Sequence, residues 1–221
     1  MKVEAITTCV GANCLEMLRF TAPQNKKCFD NYIVVTSPED TSTQNYCKYI
    51  GLSCVVTSEF KKYNFGFNKG AAINEGLEHL KYNDWVYHID ADIILKNGYR
   101  DTLDKELDDP EYFYGSRRVI IENYKNLIDL VAGNKKEEDF LSYPGVGYGY
   151  SQCWNQQSKV IKSGAIYPEI YEKGESDWRW RNLWGDLANK DYDLTGLLKR
   201  ISVNVWHLGL PDISGADSFW K

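Results

Sequence analysis

The 221 residues are 43% hydrophobic and 26% charged, with 31 acids against 26 lysines and arginines for a net charge of −5. That length suits one large α/β domain over residues 1–221, and the composition is that of a soluble globular protein. The acidic excess gives no encouragement to non-specific binding of nucleic acid or anionic lipid. No apolar run approaches the roughly 20 residues a membrane-spanning helix needs.

Met1 to Thr7 has an acid near its start and no long apolar run, so it reads as a first strand rather than a secretion leader. Six cysteines (Cys9, Cys14, Cys28, Cys47, Cys54 and Cys153) form no C-x-x-C pair, which points to reduced thiols and a cytoplasmic protein. Strand and helix signals then alternate. Val3–Thr8 is expected as a strand, Ala12–Phe20 as a helix and Tyr32–Thr36 as a buried strand ended by Ser37-Pro38. A second helix is expected from Thr41 to Tyr49, stopped by Gly51, and a third strand at Cys54–Thr57. Gly70–Lys81 places Ala72, Ile73, Gly76, Leu77 and Leu80 on one helical face, and Trp85–Ile89 is the fourth strand. This β-α-β-α-β-α-β order predicts a mostly parallel sheet covered by helices. Ligands of such sheets bind at the carboxyl ends of the strands.

The second half differs. It holds six of the seven tryptophans, a glycine-tyrosine loop over 143–150, and a polar stretch over 133–139 that reads as a mobile surface loop. With no clear linker between the halves, residues 1–98 are expected to bind a nucleotide-linked substrate and 99–221 an acceptor.

Asp90-Ala91-Asp92 follows the fourth strand directly. Two carboxylates one residue apart at a strand's exit can serve one hard divalent cation, and such a cation neutralises a diphosphate. A helix N-cap pair is the bland alternative, but Ile93-Ile94-Leu95 is β-branched and glycine-stopped. An EF-hand fits poorly, since Leu95 stands where glycine is needed. A haloacid-dehalogenase-like phosphotransferase also carries D-x-D after an apolar strand, near the start of its domain and followed by threonine. Here three strands precede the motif.

The run Asn68-Lys69-Gly70-Ala71-Ala72-Ile73-Asn74-Glu75-Gly76-Leu77, then Asp84-Trp85 and Asp90-Ala91-Asp92, resembles the D-x-D region of GT-A glycosyltransferases of the family 2 type. The resemblance spans roughly residues 3–95 and returns in patches later. It implies a Rossmann-like GT-A fold with a mostly parallel central sheet flanked by helices, and Mn²⁺ or Mg²⁺ on a nucleotide-sugar diphosphate, UDP-sugar by preference. Asp92 would ligate the metal and Asp90 would contact metal or ribose. The donor would also meet Thr7, Thr8, Asp40, Asn68, Lys69 and Ala91. The paired acids that family 2 members place after the second strand are missing; Thr36-Ser37 stands there, with Asp40 displaced as a substitute. No G-x-G-x-x-G or P-loop supports NAD or ATP chemistry.

His207, in Val203-Asn204-Val205-Trp206-His207-Leu208-Gly209, is by default a core histidine at a strand end. The late histidine of GT-A enzymes makes it the expected third metal ligand, for which neutral imidazole is suited. From Gly174 onward, Ser176 is read as an N-cap, and Trp180, Leu183, Trp184 and Leu187, at helical spacing, as core. The acid that opens a helix in inverting GT-A enzymes aligns with Asp177, expected as the base, with Glu175 orienting the acceptor. A capped helix with an Asp177–Arg181 pair is the plain alternative.

The expected activity is therefore inverting, metal-dependent transfer of a sugar from a nucleotide-diphosphate sugar to a hydroxyl. A saccharide or glycan is the default acceptor. A hydroxymethylated base in nucleic acid is the second, suggested by Trp178-Arg179-Trp180-Arg181, Arg117-Arg118 and Lys199-Arg200; such a base would have to leave its duplex. A nucleotidyltransferase and a non-catalytic nucleotide-sugar-binding module are the rival readings.

Overall fold

In the computed structural model the described residues are 1–64, 67–143, 150–169, 175–184 and 196–209. Four strands, β1 (Val3–Thr8), β2 (Asn31–Thr36), β3 (Ser53–Val56) and β4 (Trp85–Ile89), lie within one residue of their expected places and pair in parallel in the order β3-β2-β1-β4. Every residue of β1, β2 and β4 is buried, as strands covered on both faces must be.

Between them run α1 (Ala12–Asn25), α2 (Thr41–Ile50) and α3 (Lys69–Leu77). The α2 helix stops at Gly51, whose φ of 71° is the left-handed conformation that closes a helix C-terminus. Two of the helices depart from expectation. The first runs five residues past Phe20 and through Pro23. A proline inside a helix leaves the carbonyl one turn earlier without its amide, and here the Tyr46 hydroxyl donates to that Arg19 carbonyl at 3.2 Å. The added turn is anchored to the segment after β4. Thr21 Oγ1 donates to the Ala91 carbonyl at 2.7 Å, and Asn25 Nδ2 to the Ile93 carbonyl at 2.7 Å. The third helix ends at Leu77, not Lys81: the amides of Glu78, His79 and Leu80 tighten onto carbonyls three residues back, and the two that follow leave the helix. Those of Lys81 and Tyr82 donate to the buried Glu4 carboxylate at 3.0 and 2.7 Å.

The rest of the chain continues the same sheet. In order come β5 (Ile93–Ile94), α4 (Tyr99–Glu106), β6 (Phe113–Ile121), α5 (Tyr124–Val131), β7 (Ser142–Tyr143), β8 (Ser151–Asn155), α6 (Lys159–Lys162), α7 (Glu175–Asn182) and β9 (Leu198–Leu208). The sheet runs β3-β2-β1-β4-β8-β6-β9-β5, with β7 beside β6. Here β8 is antiparallel to both β4 and β6, and β9 is parallel to β6. The polar stretch expected as a mobile loop is tied down instead. Glu137 accepts from Lys96 Nζ, Asn204 Nδ2 and Trp206 Nε1 at 2.7–2.8 Å. Among the described residues, no helix is long and apolar enough to cross a membrane. All six cysteines are free.

Candidate active site

The sheet order reverses between β1 and β4, and there an open cleft of about 360 Å³ forms at their carboxyl ends. Thr8, Lys69, Asp90, Ala91 and Asp92 line it, together with Asn13, Cys14 and Phe67, which sequence reading did not single out. Two strand pairings bring the distant chain segments to this point. The antiparallel β5–β9 pair sets His207 opposite Ile93, next to Asp92. The β4–β8 pair sets Ser151 opposite Ile89 and Gln152 opposite His88.

His207 Nε2 stands 3.7 Å from Asp92 Oδ2, too far for a hydrogen bond. Asp92 Oδ1 is buried with no hydrogen-bond partner. Burial pushes the Asp92 carboxyl above the usual carboxylate range, and nearby Asp90 adds to the effect while His207 opposes it. An orphaned carboxylate oxygen beside an imidazole is a donor set that fits a divalent cation. Asp90 is oriented differently. Its Oδ1 takes the Lys69 ammonium at 2.7 Å, and although burial works against its charge, Lys69 holds its carboxyl below the usual range. Among the described residues, no three His, Cys, Asp or Glu side chains gather closely enough to hold a metal ion.

Lys69 also pairs with Asp177 Oδ2 at 3.2 Å, so it bridges the D-x-D motif to the carboxylate expected as base. Burial disfavours its charge, but the two carboxylates outweigh that and raise its pKa. On its other oxygen Asp177 accepts from the Tyr167 hydroxyl, whose pKa burial and Asp177 push far up, so that it remains a donor. The Tyr167 oxygen is also 2.8 Å from Gln152 Oε1, and Gln152 Nε2 donates to the Asp177 carbonyl at 2.9 Å. His88 completes the cluster. It is fully buried, with Nδ1 at 3.3 Å from Gln152 Oε1 and Nε2 at 3.7 Å from Asp90 Oδ1. Burial and the Lys69 charge lower its pKa to about 4, which keeps the ring neutral. Gln152 belongs to the Ser151–Trp154 run that sequence associates with the acceptor side, whereas Tyr167 and His88 were not singled out; for His88 the available signal was a polar residue inside a wholly buried strand.

Asn68 caps α3 by accepting from the Ala71 amide at 3.0 Å, and Lys69 reaches the carboxylates. Asn74 grips the backbone of Tyr167, accepting from its amide at 2.8 Å and donating to its carbonyl at 2.9 Å. Gly70 admits the adjoining Pro168, whose carbonyl oxygen would lie 2.1 Å from an added Cβ. Helix propensity alone would make Gly70→Ala stabilising by about 1 kcal/mol. The clash is with backbone, so the substitution is expected to cost about 1–3 kcal/mol instead. It should also lower turnover by moving Tyr167, which thermal melting and an activity assay on one protein sample would check together.

Other expected site residues fall outside this cluster. Thr7 is buried, and its hydroxyl donates to the Ile89 carbonyl at 2.7 Å, away from solvent. Asp40 caps α2 and is occupied by the amides of Thr43 and Gly11 at 3.0 and 2.8 Å. Its charge thus serves local structure before any base. Ser176 is not the N-cap, since α7 begins one residue earlier, at Glu175. The Glu175 side chain and residues 144–149 of the glycine-tyrosine loop lie outside what the structure describes. Trp180 and Trp184 are core as expected, Leu183 is exposed, and Leu187 lies outside the described residues. Trp180 and Arg181 are buried, so neither is presented to a nucleic acid.

Comparison with protein families and with curated proteins finds no match. Solved structures do match. Glucosyl-3-phosphoglycerate synthase from Mycobacterium tuberculosis, in complex with Mn²⁺, uridine diphosphate and phosphoglyceric acid, aligns over 95% of this chain and 72% of its own at 14% identity and a TM-score of 0.54. The fold is GT-A-like. The inositol-1-phosphate CTP transferase from T. maritima covers 95% of this chain and 90% of its own at 10% identity and a TM-score of 0.54. A putative glucose-1-phosphate thymidylyltransferase from Bacillus anthracis covers 91% and 86% at 13% identity and a TM-score of 0.55. At these identities the likeness is one of fold.

Proposed function

We propose that this protein is a metal-dependent, inverting glycosyltransferase that moves a sugar from a UDP-sugar to the hydroxyl of a saccharide acceptor, working as one domain in the cytoplasm. The observation that carries the reading is the Asp92 carboxylate, with Oδ1 unpartnered and Oδ2 facing His207, in a cleft joined by Lys69 to Asp177. Mn²⁺ or Mg²⁺ would be held by Asp92 and His207, with Asp90 assisting, and would supply the positive charge that a departing diphosphate needs. The other steps fall to the chain. Thr8, Lys69 and Ala91, which line the cleft, would meet the donor, Lys69 as a cation for phosphate, while Asn68 would act by capping the helix that carries Lys69. Asp177 takes the acceptor hydroxyl's proton as that oxygen attacks the anomeric carbon opposite the leaving group, and Glu175 orients the acceptor. The complex of the M. tuberculosis synthase with Mn²⁺ and uridine diphosphate supports the donor reading. Six free thiols suit a reducing compartment.

Nucleotidyl transfer is the rival, since two solved structures of this fold are named for it. The two reactions release different products. Incubating the protein with Mn²⁺ and UDP-, GDP-, CMP- and TDP-sugars is expected to release nucleoside diphosphate slowly from one of the diphosphate donors, with Asp92→Asn abolishing the release. Pyrophosphate release from a nucleoside triphosphate and a sugar phosphate, with no donor hydrolysis, would overturn the glycosyltransferase reading in favour of the rival.

A further inference from the structure

Arg118 lies on β6 with its guanidinium 4.7 Å from the Tyr143 ring centroid and 4.6 Å from that of Tyr150. Its Nε is buried and makes no hydrogen bond, and among the described residues no carboxylate pairs with it. Aromatic faces attract a cation but leave the in-plane N–H groups of a guanidinium unused. Those groups form a rigid fork that matches a carboxylate or phosphate through two parallel hydrogen bonds. A half-buried fork with no anion is an incomplete pair.

Its place in the fold says which substrate would complete it. Tyr150, one of the two clamping rings, gives its backbone carbonyl to the Asp90 amide at 3.2 Å. The β8 strand begins opposite the end of β4, and β6 lies on the far side of β8. Along β6, Arg118 stands opposite Val205 and Ile120 opposite His207, so Arg118 is two residues from the strand position paired with the expected metal ligand, whereas the cleft is lined by Thr8, Asn13 and Phe67. We propose that Arg118 binds an anionic group, carboxylate or phosphate, on the acceptor, so that the second substrate is an acidic saccharide such as a uronic acid or a sugar phosphate. This rests on the reading of the β1–β4 cleft as the donor site.

The test observes the side chain itself, without donor, metal or turnover. In the ¹⁵N-labelled full chain, the Arg118 Nε–Hε resonance is identified by its loss in Arg118→Lys, and the protein is titrated with D-glucuronate, D-glucose 6-phosphate and D-glucose. The resonance is expected to shift saturably with an acidic sugar and not with glucose. A response to glucuronate alone identifies a carboxylate, a response to the phosphate alone identifies a phosphate, and a response to both supports the shared anion. Affinity measured calorimetrically should fall on the order of tenfold in Arg118→Lys and further in Arg118→Gln, as expected for lost charge-assisted hydrogen bonds, with thermal melting confirming that both fold. An equal shift with glucose, no shift with any sugar, or unchanged affinity in both variants would overturn the proposal. Because donor hydrolysis depends on Asp92 and not on this titration, either result can fail while the other stands.

Discussion

Replacing Asp177 with asparagine is expected to cut transfer by about 10²–10⁴-fold while leaving donor affinity nearly unchanged, the loss typical of removing a positioned general base. Asparagine has the shape of aspartate but cannot accept the acceptor's proton. The backbone should keep its place, because Gln152 Nε2 holds the Asp177 carbonyl rather than the carboxylate. The Tyr167 hydroxyl retains an amide oxygen to donate to. Lys69 loses its pairing with the Asp177 charge but keeps Asp90 at 2.7 Å, so the donor end of the cleft retains that ion pair. Measuring kcat by nucleotide release with an acceptor present, and donor Kd by calorimetry, separates the roles. Unchanged kcat would make Asp177 a structural partner of Tyr167 and Lys69 only. Equal losses in kcat and donor affinity would mean that the substitution had disturbed the whole cluster.

The parts of this site that were legible in the sequence are those that depend on neighbours along the chain. A strand of wholly buried residues running into Asp90-Ala91-Asp92 marks the carboxyl edge of a sheet, and β1 to β4 followed from their apolar runs. Gly51, which acts within its own turn, was also readable as the stop of α2. Features that failed depend on tertiary contacts. Nothing local says that Glu4 takes the amides of Lys81 and Tyr82 just past the end of α3, or that Thr21 and Asn25 anchor the last turn of α1 by holding the carbonyls beyond β4. Asp40 looks free to read a nucleotide until the Gly11 amide is found on it. His88 and Gln152 are polar residues in buried strands, which has meaning only once β4 and β8 are paired. The anchoring of Glu137 by three donors from two distant segments was equally invisible.

Replacing Trp180 with alanine is expected to give the largest loss of stability, about 3–5 kcal/mol, by the transfer and cavity cost of a buried aromatic. Trp180 is fully buried, with ring centroids 5.3 Å from Trp154, 5.0 Å from Tyr167 and 5.2 Å from Trp184. It lies one turn after Asp177 on α7, and Tyr167, which donates to Asp177, packs against its ring. The same aromatic cluster therefore holds both ends of that hydrogen bond. Trp180→Phe should cost much less, because it keeps an aromatic ring and removes an indole N–H that is buried without a partner. Urea unfolding of both variants gives the stability change, and kcat under conditions where each remains folded gives the functional one. If Trp180 positions the base, Trp180→Ala should lose turnover even when folded, while Trp180→Phe retains most of it. A folded Trp180→Ala protein with full turnover would show instead that Asn74, Gln152 and Lys69 hold Tyr167 and Asp177 in place without the aromatic cluster.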